Sequence, residues 1–161
     1  MKYIETPHLT DPQIHQLYNL WNQEYPSQLA MHMVDELKAY LVGLGPARHV
    51  LMNDENEQLK GWAVSFDREG ERWFAMIIHH SVHRKGFGSK ILSMLKENET
   101  EFNGWVIDHD RYTRNDGRPY SSPLAFYAKN GFSVLTGIRL ELAIISAVKI
   151  RWSETGAIKT D

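Results

Sequence analysis

The segment from Trp73 to Leu95 constrains this chain most. It opens with a nearly continuous apolar run, Trp73-Phe74-Ala75-Met76-Ile77-Ile78, inside a strand predicted over Arg72 to His79. A run of that kind reads as a strand buried on both faces, and so as a central strand. The chain then crosses a polar stretch, reaches Gly86 and Gly88, and changes period: Ile91, Leu92, Met94, Leu95 and Phe102 recur as a helix packed on a sheet requires. A buried strand that feeds directly into an amphipathic helix demands a layered α/β architecture. It also creates an anion site. The first amides of a helix have no partner within it, the helix dipole adds partial positive charge there, and glycines let a pyrophosphate approach the backbone. Arg84 and Lys85 add charge at the rim. The spacing is neither that of the P-loop nor that of the dinucleotide fingerprint, whose third glycine would fall at Ile91.

The flanks fit one mixed domain. Met1 to Glu5 reads as an opening strand, and Thr10-Asp11-Pro12-Gln13 as a capped helix start. Ile14, Leu17, Tyr18, Trp21 and Tyr25 then mark one buried helical face, which Pro26 ends. A second helix is expected over Val34 to Val42, and strands over His49 to Met52 and Leu59 to Phe66. Gly104 is expected to end the helix that follows the glycine turn, with a strand at Trp105 to Ile107 and a long polar loop at Asp108 to Tyr120. Ser122-Pro123 opens a short helix that Gly131 closes, and two strands follow, Phe132 to Leu140 and Ile144 to Trp152. The expectation is a single α/β domain over 1–152, with about four helices, and a loose tail over 153–161.

Composition removes several function classes. With 161 residues and a formal net charge of -2, the chain has no broad basic field, so nucleic acid is not an expected partner. It has no cysteine, which excludes disulfides, thiolate metal sites and a cysteine nucleophile. The apolar stretch from Leu140 to Val148 is interrupted by Glu141 and Ser146 and is too short to span a bilayer, and Met1 to Glu5 lacks the apolar core of a signal peptide. A cytoplasmic protein without membrane partners is expected. His79, His80 and His83, together with Asp108-His109-Asp110, invite a metal reading, but no tight ligand spacing is present and no metal is expected.

Two elements together carry a resemblance. The first is the glycine turn, His83-Arg84-Lys85-Gly86-Phe87-Gly88-Ser89. The second, about 40 residues later, is Phe126-Tyr127-Ala128-Lys129-Asn130-Gly131-Phe132. In this order, the chain resembles the GNAT superfamily of acetyl-CoA-dependent N-acetyltransferases. That family's phosphate loop reads Arg/Gln-x-x-Gly-x-Gly/Ala, and its second signature reads Phe-Tyr-x-x-x-Gly-Phe. The match covers roughly Leu51 to Leu140. It departs from the pattern where His83 takes the first loop position, with Arg84 one residue late, and where Tyr120, Ser121 and Ser122 replace the family's frequent Asn.

The resemblance implies a mixed-sheet GNAT-like domain in which two parallel strands splay apart after Ile78 and Ile107. Acetyl-CoA would lie in that cleft. Its pantetheine arm would meet backbone groups near Ile78, and its pyrophosphate the amides from Arg84 through Lys85, Gly86, Phe87 and Gly88 to Ser89. His83, Ser122 and Phe126 would border the donor. A primary amine on a small molecule or peptide would attack the thioester directly. Tyr127 matches the family's thiolate-protonating tyrosine. The general base is open between His79 and Asp108, each at the end of a strand bordering the cleft. Trp21, Tyr25, Met31 and Met33 are candidates for lining an acceptor pocket, and a homodimer through the late strands is a further expectation. Two rivals stand beside this: a transferase for another acyl-CoA, and a CoA-binding regulatory module without turnover.

Overall fold

The computed structural model describes residues 1–156. Seven strands form one sheet: β1 (Lys2–Thr6), β2 (Ala47–Asn53), β3 (Leu59–Arg68), β4 (Glu71–Ile78), β5 (Glu101–Val106), β6 (Ser133–Glu141) and β7 (Ser146–Ser153). Four helices complete the domain: α1 (Asp11–Glu24), α2 (Val34–Gly43), α3 (Phe87–Lys96) and α4 (Leu124–Lys129). The sheet order is β1-β2-β3-β4-β5-β7-β6. Every neighbouring pair is antiparallel except β4 and β5. The order of elements and the central place of β4 follow the sequence expectation.

Alternation along the strands sorts the core into two layers. On β3, Trp62 and Val64 join Leu17, Leu20, Trp21 and Leu37 of α1 and α2, while Ala63 joins Ile91, Leu92 and Leu95 of α3. The two helix pairs therefore cover opposite faces of the sheet. Helix α1 starts with a complete capping box: Thr10 N–H donates to Gln13 Oε1 at 2.8 Å, and Gln13 N–H to Thr10 Oγ1 at 3.3 Å.

One element differs from its expectation. Helix α3 ends at Lys96, and Phe102 and Gly104 belong to β5. The seven-residue step from Leu95 to Phe102 matches a helical period, but the backbone leaves the helix at Glu97, with ψ 128°, and turns at Asn98, with φ 62°. Phe102, Gly104 and Val106 then lie on one face of a strand. A Cβ on Gly104 would sit 2.7 Å from Phe74 Cε1, so the missing side chain there is room for the Phe74 ring. At the other end of the chain, Ser153 closes β7 and Glu154 N–H donates to the Thr100 carbonyl at 3.0 Å. The remainder of the expected tail, 157–161, lies outside the described residues.

Strands β4 and β5 pair at one register position, Trp73 with Asn103. Asn103, fully buried, reinforces that point: its Nδ2 donates to the Arg72 carbonyl at 3.1 Å, and its Oδ1 accepts from Arg151 Nη1 at 3.0 Å. Beyond it the strands separate earlier than expected, so the opening runs beside Phe74–Ile78 rather than starting after Ile78.

Candidate functional site

The separation of β4 and β5 makes a cleft through the middle of the sheet, and three groups of residues surround it. The first is the glycine turn. His83 N–H closes a 3-10 turn on the His80 carbonyl at 3.2 Å. Arg84 and Gly86 then take left-handed φ values of 61° and 84°, and Gly86 caps α3. The first helical bond at this end is Lys90 N–H to the Gly86 carbonyl, 3.1 Å, so the amides of Phe87, Gly88 and Ser89 precede any helical partner. Arg84, Lys85 and Gly86 are exposed. His83 does something other than face an anion: its Nε2 donates to the Ile78 carbonyl at 2.7 Å and fastens the turn to the end of β4.

The second group is α4. Its start is tied to β5, because Ser122 Oγ donates to the Ile107 carbonyl at 2.5 Å and accepts from Leu124 N–H at 3.2 Å. Gly131, at φ 89°, ends it as expected. Phe126 lies against the glycine turn: a Cβ on Gly88 would meet its Cζ at 3.1 Å. Tyr127 is buried edge-on to Phe74, Phe126 and Phe132, with ring centroids 5.6, 5.1 and 5.4 Å away. Burial, and then the nearby Tyr120, push its hydroxyl above the ordinary tyrosine range, so it holds its proton firmly.

The third group comes from α1, the end of β4 and the long loop after β5. That loop is more ordered than a polar stretch suggests. Tyr120 N–H donates to the Tyr112 carbonyl at 3.0 Å, Arg114 N–H to the Arg118 carbonyl at 2.8 Å, and Gly117 turns at φ 84°. The resulting hairpin docks on the end of α1, where Ser27 N–H donates to the Thr113 carbonyl at 2.8 Å and Asn115 Nδ2 to the Asn22 carbonyl at 2.9 Å. It brings Arg114 Nη1 to 3.7 Å from Glu24 Oε1, with both side chains largely buried. Glu24 Oε2 lies 2.6 Å from His80 Nδ1, and the His79 and His80 rings stack at 4.3 Å. Tyr25 lies within electrostatic reach of Tyr120 and Tyr127; burial first, then its tyrosine neighbours, raise its hydroxyl.

The two residues expected as bases sit differently. Burial and then Lys60 lower His79, which favours its neutral form. Both oxygens of Asp108 accept from Arg139, at 2.8 and 3.1 Å, and that pairing holds its carboxyl below the usual range. Of the expected acceptor-lining residues, Trp21, Tyr25 and Met31 pack in the layer under α1 and α2, and Met33 is exposed. The residues overlooked are Glu24 as a buried group, His80 as its partner, and Arg114. Glu24 carried a signal: it continues the stripe Leu17, Leu20, Trp21 at helical spacing, a carboxylate on an apolar face. Nothing local marks Arg114, whose neighbour is 90 residues away.

Glu24, His79 and His80 each offer a ligand atom, all within 4.8 Å of one another. No helix among the described residues is long and apolar enough to cross a membrane.

No protein-family model matches the sequence, and no curated protein matches it. Solved structures do. Spermidine N-acetyltransferase from Vibrio cholerae, in complex with CoA and spermine, superposes with a TM-score of 0.68 at 14% identity, over 96% of each chain. AAC(6')-Ib in complex with ribostamycin and coenzyme A superposes with a TM-score of 0.63 at 14% identity, over 97% of this chain and 96% of that one. The chain thus has the GNAT fold, with its mixed seven-stranded sheet and four helices.

Proposed function

We propose that the protein is an N-acyltransferase that moves an acetyl group from acetyl-CoA to a primary amine. The observation that carries this reading is the cleft itself. A parallel pair joined at one position opens beside a glycine-capped helix start, and a buried, proton-retaining tyrosine stands on the helix that packs against that start. The fold shared with proteins solved in complex with CoA and with amine ligands supports it.

In this reading the amides of Arg84 to Ser89 hold the pyrophosphate, with Arg84 and Lys85 adding charge and Phe87 and Phe126 walling the turn. Backbone groups at Ile78 meet the pantetheine arm beside the bond from His83, and Ser122 keeps α4 and β5 in place. A neutral amine attacks the thioester carbonyl, the new N–C bond forms as the C–S bond breaks, and Tyr127 gives its proton to the departing sulfur. Its raised affinity for the proton keeps it loaded at neutral pH. The nitrogen's proton leaves toward the turn after β4, where His79 and His80 stand; Asp108 serves to anchor the loop through Arg139. The acceptor is a small-molecule or peptide amine. A donor with a longer acyl chain is the second reading, which a panel of acyl-CoAs separates.

A cytoplasmic location belongs to this reading, as does a homodimer through edge strand β6 and the following turn, where Ile138, Leu142 and Ile144 are exposed. Sedimentation over a range of concentrations tests the dimer. The donor is tested by thermal unfolding with acetyl-CoA, ATP or NAD. A ligand at a hundredfold excess over its Kd stabilises the folded state by about 2.7 kcal/mol. A shift with acetyl-CoA alone is expected; no shift at saturation rejects the reading.

A further inference from the structure

Two adjacent histidines follow β4, and their partners assign them opposite tautomers. Glu24 Oε2 stands 2.6 Å from His80 Nδ1. A carboxylate only accepts, so the Nδ1 of His80 carries the hydrogen and its Nε2 keeps the lone pair. That Nε2 makes no hydrogen bond among the described residues. His79 is the reverse. Ser81 N–H, which can only donate, lies 3.1 Å from its Nδ1, and Ser81 Oγ lies 2.7 Å from the same atom, so Nδ1 is the bare nitrogen, its lone pair is already engaged, and the hydrogen is on Nε2. Protonating His79 at Nδ1 gives up the Ser81 N–H bond and turns the Oγ contact round, whereas protonating His80 at Nε2 disturbs no hydrogen bond among the described residues.

A carboxylate behind an imidazole is the device that fixes a catalytic histidine's tautomer and steadies its charged form. Here the carboxylate is only 6% exposed, while the imidazole is half-buried. His80 follows Ile78, the last residue of β4, by two positions, and His83 fastens the same turn to the Ile78 carbonyl, so the dyad stands at the β4 end of the cleft. We propose that His80, oriented by Glu24, is the general base that takes the proton from the acceptor amine. This rests on the acyl-transfer reading. As the N–C bond forms, the nitrogen's proton passes to His80 Nε2; as the C–S bond breaks, the sulfur takes the proton of Tyr127; His80 then loses its proton to solvent and Tyr127 regains one.

The charged and titratable groups around the dyad are Arg114 from the loop hairpin, Lys60 from β3, and His79 and His83 from the same turn. Arg114 also bears on the rival use of the cluster, as a metal site. Its guanidinium 3.7 Å from Glu24 opposes a cation there, and Ser81 already engages His79 Nδ1.

The test is the pH dependence of kcat/KM with acetyl-CoA and the best acceptor among spermidine, ribostamycin and benzylamine, with ring-nitrogen NMR on the free protein. The unsubstituted protein is expected to show one acidic limb and His80 protonated at Nδ1. His80→Gln removes the limb and lowers kcat by roughly 10²- to 10³-fold while acetyl-CoA still stabilises the fold. Glu24→Gln moves the limb to lower pH, because an amide stabilises an imidazolium less than a carboxylate does. His79→Gln keeps the limb. A limb that survives His80→Gln, an unmoved limb in Glu24→Gln, or His80 protonated at Nε2 overturns the proposal and leaves acyl transfer standing. Stabilisation by Zn²⁺ that both histidine variants abolish assigns the cluster to a metal and overturns it too. No acetyl-CoA shift and no turnover with any of the three amines rejects both readings together.

Discussion

Asn103 holds Arg72 by its main chain: the Asn103 side-chain amide donates to the Arg72 carbonyl at 3.1 Å, next to the one position where β4 and β5 pair. The same side chain accepts from Arg151. Replacing it with leucine, Asn103→Leu, leaves that buried carbonyl and guanidinium each short of a partner. A loss of about 1–3 kcal/mol is expected. Urea unfolding checks it, and an unchanged midpoint would mean that the strands need no such fastening.

Tyr127 is embedded in rings, so Tyr127→Phe keeps its packing and removes only the hydroxyl. Turnover should fall by about 10²-fold with acetyl-CoA affinity nearly intact. Steady-state kinetics alongside donor titration separate the two quantities. Equal loss of both, or of neither, counts against proton donation.

The two glycines of the turn should respond differently. Gly86 needs its left-handed φ but has open space around a Cβ, so Gly86→Ala costs about 1 kcal/mol of stability. Gly88 has an ordinary φ, but a side chain there meets Phe126 at 3.1 Å and Met76 at 3.5 Å. Gly88→Val should therefore displace Phe126 and abolish the thermal shift with acetyl-CoA, whereas Gly86→Ala should weaken it. Calorimetry of each variant with and without donor compares them.

His49 sets an acid limit on the fold. It is buried, its Nδ1 accepts from Trp62 Nε1–H at 3.0 Å, and burial, then His8, lower its pKa from 6.5 to about 4. The unfolded chain therefore binds a proton that the folded one refuses between those values, and stability must fall as pH drops from 6.5 toward 4. His49→Gln keeps an acceptor for Trp62 and should flatten that part of the stability curve. Denaturant midpoints at pH 7, 5.5 and 4.5 read the difference.

Much of this was legible in the chain. The apolar run of β4, the two glycines and the Phe126-Tyr127 pair are local signals, and they carried the central strand, the start of α3 and the helix that bears Tyr127. The end of helix α3 is not legible because Phe102 falls in phase with Leu95 by chance, and the backbone shows the break at Glu97 and Asn98. The Glu24–His80 pair spans 56 residues, and Arg114 reaches Glu24 across 90. Such meetings depend on how the loop after β5 folds back, which no periodicity encodes. Asp108 illustrates the same limit: its position at a strand end was readable, its capture by Arg139 was not.

The parted strands have a consequence for how such a chain ages. Past Trp73 and Asn103, β4 and β5 present two strand edges to each other without ladder pairing. An open edge normally recruits a foreign strand, yet these are recessed within the sheet, between layers of helices. An occupant of such an opening would have to be slender and to mimic a strand's alternation of donors and acceptors. Recognition of that kind is written in main-chain atoms, which every residue type supplies. Side chains around such an opening are free to drift, and the fold is kept at 14% identity to the spermidine enzyme.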